Sequence, residues 1–154
     1  MSPMNLGGLF VAASALLVAC SDPVGPDIDL FEVSVTVSRA ELSSGEVTEL
    51  RATLENPTNR DLAFRVSCFL IFEIRDAADN RFIEPVVCDS TEFEQVLGPG
   101  ESLERAVFFD GHGWLTPSGP ATLPPGPYRV RAGMSVAYLN PSPFVDLRIL
   151  PGAP

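Results

Sequence analysis

The chain contains no lysine: its ten basic residues are all arginine, set against twenty Asp and Glu, and the formal net charge is −10. Such an excess repels polyanions, so nucleic acid and anionic lipid headgroups are excluded as partners. Histidine occurs once, as His112 in the segment DGHGW. Asp110 and His112 offer two ligands where zinc takes three or four from protein, so no metal is expected. No G-x-S-x-G elbow is present to make His112 the partner of a nucleophilic serine. No segment carries a convincing helical period, and no apolar run reaches the roughly 20 residues of a spanning helix. Enzymatic chemistry, a cofactor and a small-molecule substrate therefore have no basis in the sequence.

The longest apolar run, Leu6 to Ala19, has 14 residues, the length of a signal-peptide core. The segment before it, MSPMN, has no Lys or Arg, whereas an export signal usually starts with positive charge. The run ends in Leu17, Val18, Ala19 and Cys20, and LVAC resembles the bacterial lipobox. That resemblance implies cleavage before Cys20 and a diacylglyceryl group on its thiol; the alternative is an ordinary secretory signal that happens to end in cysteine. The expected division is a signal at 1–19, a lipidated cysteine and tether at 20–30, a body at 31–150 and a tail at 151–154. The tether SDPVGPDIDL has no apolar periodicity. Membrane contact is expected through the lipid on Cys20. Ser21 rather than aspartate follows it, which by resemblance to lipoprotein sorting implies the outer membrane of a two-membrane cell envelope.

With Cys20 assigned, Cys68 and Cys88 remain, in an exported and disulfide-permissive compartment. Arg75 and Arg81 flank the turn-rich DAADN, and pairing 75 with 81 in a hairpin places 68 opposite 88. A bridge there would constrain the unfolded chain by about 3 kcal/mol. Two unpaired buried thiols are the alternative.

Strand patterns fill the body. Phe31, Val33, Val35 and Val37 alternate with Glu32, Ser34, Thr36 and Ser38; Leu50, Ala52 and Leu54 alternate with Glu49, Arg51 and Thr53 until Asn56 and Pro57. Further strands are expected at 62–66, 69–75, 81–87, 91–97, 102–109, 128–138 and 144–150, with a turn at GPGE and a Gly/Pro-rich loop up to Gly126. Short strands at such spacing predict one all-β domain, an immunoglobulin-like antiparallel β-sandwich.

LENPTNRDLAF at 54–64, FEIRDAADNRF at 72–82, FEQVLGPGESL at 93–103, FFDG at 108–111 and LPPGPYRVRA at 123–132 are together similar to the BsuPI family, the domain of a Bacillus intracellular proteinase inhibitor. The resemblance covers most of the body and implies an immunoglobulin-like sandwich in which Asn-Pro ends a strand, LGPGES turns into the next one, and the tyrosine of PPGPY packs inward. Asn80 stands where the family usually has glycine in the hairpin turn, and Ser67 and Cys68 replace a polar stretch. None of these motifs carries inhibitory contacts that could be mapped residue by residue.

The remaining candidate is the segment 110–126, with His112 and the single tryptophan, Trp114. Either the indole folds back over the open end of the sandwich, or the proline-rich loop presents it to a partner, since exposed loop aromatics on rigid scaffolds often bind. The expected function is a membrane-anchored, non-enzymatic protein-binding domain, with proteinase inhibition as the family extension; the partner would be a protease or an envelope protein. The alternative is a structural or adhesion module without inhibitory activity.

Overall fold

The computed structural model describes residues 27–43, 45–66, 68–86, 93–134 and 140–152. Cys20, Cys88 and the tether before Asp27 lie outside the described residues. A 3-10 turn at Ile28–Leu30 leads into twelve strands: β1 (Glu32–Val37), β2 (Glu41–Ser43), β3 (Thr48–Glu55), β4 (Leu62–Val66), β5 (Ile71–Asp76), β6 (Arg81–Ile83), β7 (Phe93–Leu97), β8 (Ser102–Phe109), β9 (Trp114–Thr116), β10 (Gly119–Ala121), β11 (Gly126–Gly133) and β12 (Val145–Leu150). They form a three-stranded sheet in the order β1-β3-β8, a two-stranded sheet β4-β7, and a seven-stranded sheet β10-β9-β6-β5-β11-β12-β2. The fold is an all-β sandwich. All ladders are antiparallel except β12 with β2, where the short Glu41–Ser43 strand runs parallel along the sheet edge.

The period-two alternation does what it predicts. Val33 and Val35 of β1 and Leu50, Ala52 and Leu54 of β3 turn inward, as do Phe72 and Ile74 of β5, Tyr128, Val130 and Ala132 of β11, and Leu147 and Ile149 of β12. Leu62, Phe64 and Leu97 from the two-stranded sheet join the same core. Phe31 meets Phe64 edge to face at 5.1 Å, a geometry that rings favour. Tyr128 packs inward, and its hydroxyl donates to the Pro124 carbonyl four residues back.

Asn56 shows why the Asn-Pro pair ends β3. Its side chain is fully buried. Its Nδ2 donates to the carbonyls of Arg60 (2.7 Å), Leu97 (2.8 Å) and Gly98 (3.1 Å), while its Oδ1 accepts from the Thr58 amide and hydroxyl. Its backbone is tied to Gly100 and Glu101. One amide thus joins the β3–β4 connection to the GPGE turn between β7 and β8. That turn needs Gly100 at φ 70°, a conformation glycine enters without penalty, and Glu101 closes it by accepting from the Gly98 amide at 2.7 Å.

Several expectations change. The strand expected from Phe69 starts at Ile71, because Leu70 lies at φ 49° and breaks the extended run. The strand expected through Val87 ends at Ile83, where Val86 turns back to bond the Glu84 carbonyl. The Gly/Pro-rich loop contains a hairpin, β9–β10, whose Pro117-Ser118 turn is held by the Thr116 hydroxyl. The left-handed residue of the β5–β6 turn is Asp79, at φ 66°, rather than Asn80; Asn80 instead donates to Asp76 through its amide and side chain.

Asn56→Ala removes the donor to three carbonyls, that of Leu97 buried and those of Arg60 and Gly98 partly so, without any change of fold. It is expected to cost about 3 kcal/mol, since each unsatisfied buried group costs about 1–3 kcal/mol, seen in urea unfolding as a lower midpoint with an unchanged slope.

Candidate interaction face

Two register rows run across the outer face of the seven-stranded sheet. In the first, Pro120 of β10 lies opposite Leu115 of β9, Leu115 opposite Ile83 of β6, Ile83 opposite Glu73 of β5, and Glu73 opposite Arg131 of β11. In the second, Arg81 of β6 lies opposite Arg75 of β5, Arg75 opposite Arg129 of β11, and Arg129 opposite Asp146 of β12. Residues opposite one another share a face of the sheet, so both rows are presented together.

Three arginines side by side on adjacent strands would repel one another. Glu73 resolves the conflict. Its side chain has no solvent exposure and accepts from Arg75 Nε at 2.6 Å, Arg81 Nε at 2.7 Å and Arg131 Nη2 at 3.0 Å. Burial by itself would push its carboxyl up, but the hydrogen bond from Arg75 and the charges of Arg131, Arg81 and Arg75 outweigh it and hold the carboxyl below its ordinary value. Arg75 and Arg129 also reach Asp79, at 2.8 and 3.2 Å. The half-buried ring of Phe144, just before β12, lies under the guanidinium groups of Arg131 at 4.7 Å, Arg129 at 4.9 Å and Arg75 at 5.8 Å. A shallow cavity of about 220 Å³ opens beside the row, lined by Arg75, Asp76, Ala77, Pro127, Tyr128, Arg129 and Asp146.

The segment singled out from sequence reaches this face by a different residue than expected. Trp114 is buried at 3 % exposure and packs edge to face on Phe109 at 5.3 Å, closing the end of the sandwich with Leu123. The indole is therefore unavailable to a partner. Leu115, its neighbour, points the other way and is 37 % exposed. His112 is exposed; its amide donates to Asp110 Oδ1 at 2.9 Å and its Nδ1 lies 3.0 Å from the Thr122 hydroxyl. Asp110 thus serves the turn, and among the described residues no group of three His, Cys, Asp or Glu is placed to hold a metal ion.

Cys68 is buried beside Ile71, Ile83 and Val86; Cys88 lies outside the described residues. The hairpin register pairs 75 with 81 as the sequence predicts, but the ladder stops before it reaches either cysteine. A second buried ion pair lies close by: Arg105 of β8 forms a two-pronged bond with Glu84 and donates to the Leu70 carbonyl at 2.9 Å. Neither buried carboxylate is visible in the sequence, because a glutamate in an alternating strand looks like any solvated position. The one available signal was the run of arginines at 75, 81, 129 and 131.

No family model and no curated protein matches the chain. Among solved structures, a β-glucosidase from Listeria innocua aligns with TM-score 0.49 and 14% identity over 80% of this chain and 16% of its own. The β-glucosidase EmGH1 from Erythrobacter marinus aligns at 0.48 and 18% identity, over 78% of this chain and 15% of its own. The alkylpurine DNA glycosylase AlkC from Pseudomonas fluorescens, bound to DNA containing an abasic site analog, aligns at 0.50 and 14% identity, over 78% of this chain and 30% of its own. The chain thus spans less than a third of each of these larger chains, and at such identities the likeness is one of fold alone.

Glu73→Gln keeps the shape and removes the charge. It is expected to cost about 3 kcal/mol at neutral pH, as loss of one partner from a buried pair does. Because the folded-state carboxyl sits below its ordinary value, the wild-type advantage is full above the ordinary carboxylate range and is lost as pH falls through it toward the depressed value. Unfolding curves of the two proteins should therefore converge in acid.

Proposed function

We propose that the protein is an exported, non-enzymatic binding module of BsuPI-like type, held at the cell envelope by lipid on Cys20, which contacts a partner protein through the outer face of its seven-stranded sheet. The observation that carries this reading is the continuous row from Pro120 and Leu115 through Ile83 to Glu73 and Arg131. It joins an exposed apolar end to arginines whose orientations are fixed by a buried carboxylate and an aromatic ring. Arginine and apolar anchors on a rigid scaffold are the composition that protein interfaces favour.

A disulfide between Cys68 and Cys88 belongs to the same proposal. Proteinase inhibition remains the family extension. The hairpin form of 114–121 favours docking through the sheet over insertion of an extended loop. The alternative is an envelope module without inhibitory activity.

A photo-crosslinking residue at position 115 in the living cell should yield a discrete crosslinked protein, and one at Glu32 on the opposite sheet should not; equal or absent products at the two positions would contradict the assignment. Titrating the full chain in detergent against a panel of serine proteases then separates the two classes, since an inhibitor abolishes activity stoichiometrically and an envelope module leaves every protease active. Palmitate should label the wild type and not Cys20→Ala; an unlabelled wild type overturns the anchor.

A further inference from the structure

Asp79 occupies an unusual position. It is an exposed carboxylate on the β5–β6 turn, with its backbone at φ 66°, and its two oxygens bridge two arginines on different strands. Oδ2 accepts from Arg75 Nη1 at 2.8 Å and Oδ1 from Arg129 Nη2 at 3.2 Å. Glu73 lies beneath the same row and takes Arg75 by its Nε, which leaves the outward-facing nitrogen of Arg75 to Asp79. We propose that Arg75 and Arg129 form a binding site for a single carboxylate of an acidic side chain on the partner protein, and that Asp79 is its tethered, displaceable occupant.

The arginine pair is built to receive rather than merely to be neutralised. The Phe144 ring lies 5.8 Å from the Arg75 and 4.9 Å from the Arg129 guanidinium carbon and restrains both groups, so little side-chain entropy is lost when an anion binds. A planar carboxylate matches the arginine fork, and Asp79 demonstrates that one carboxylate spans the gap. Displacing Asp79 is cheap: its side chain is 58% exposed, and exposed ion pairs contribute little. The adjoining cavity gives an incoming side chain room, while Asp76 and Asp146 on its wall oppose a second negative charge. A phosphate dianion or a polyanion is therefore disfavoured against a lone Asp or Glu, the more so on a chain of net charge −10.

This inference rests on the outer sheet face being the partner surface, and its test reads the site directly. The full chain in detergent is titrated with a peptide carrying one glutamate in a neutral sequence, and with the same peptide carrying glutamine, while the Nε–H resonances of Arg75 and Arg129 are followed by NMR. Asp79→Asn keeps a residue that tolerates positive φ and removes the competing charge. It should bind the glutamate peptide about fivefold tighter than wild type, the effect of removing two exposed ion pairs. Arg129→Met should abolish binding, and Arg39→Met, on an unrelated exposed pair, should leave it unchanged. Equal affinity in Asp79→Asn and wild type, equal binding of the glutamine peptide, or displacement by inorganic phosphate but not by acetate would each overturn the site. A fivefold gain in Asp79→Asn together with no crosslink from position 115 would instead keep the site and overturn the wider reading of the face.

Discussion

The carboxylate of Glu73 is the constraint on which the outer face of the large sheet depends. Four arginines lie on three adjacent strands, and without a central anion their mutual repulsion and desolvation would splay β5, β6 and β11 apart. One fully buried glutamate accepts from three of them and fixes the planes of the guanidinium groups as well as their charge. A buried ion network of this kind gives specificity of arrangement more than net stability, since an apolar replacement of equal shape could hold the strands together. It does something that replacement would not: it leaves oriented donors at the surface.

The same device recurs across the sandwich. Arg105 of the three-stranded sheet reaches over to Glu84, which in turn accepts from the Phe72 amide at 3.3 Å, and to the carbonyl of Leu70 at its left-handed φ. Asn56 plays the neutral version of this part beside the GPGE turn, where one amide satisfies three carbonyls. Hydrophobic alternation builds the layers, and these three buried polar side chains set how the connecting segments lie on them. The cost of leaving any of their partners unsatisfied is what makes the connections unique.

Most of the sandwich was legible in the sequence, because alternation at period two and turn chemistry act locally. Val33, Val35, Leu50, Ala52 and Leu54 face inward as their spacing requires, Tyr128 packs inward, and Arg75 pairs with Arg81. The misses have physical causes. Trp114 and Leu115 sit in a Gly/Pro-rich stretch too short to show alternation, so nothing local marks the hairpin that buries one and exposes the other. Leu70 adopts a left-handed φ and its carbonyl accepts from Arg105, 35 positions away, and no local pattern reports such a bond. Glu73 looks solvated in a strand that alternates correctly, and only the register of β5 with β6 and β11 brings its three arginines together.

The outer face of the large sheet is therefore of mixed character, with an apolar edge on the β9–β10 hairpin and an ordered arginine row beside it. Glu73 remains ionised while buried, since only a charged carboxylate can hold Arg75, Arg81 and Arg131 in place. The most direct measurement is the carbon-13 shift of the Glu73 side-chain carboxyl through an acid titration of the folded protein. This signal should stay at its ionised position below the pH at which exposed glutamates of the same chain have titrated. Titration together with those glutamates, or above them, would contradict it.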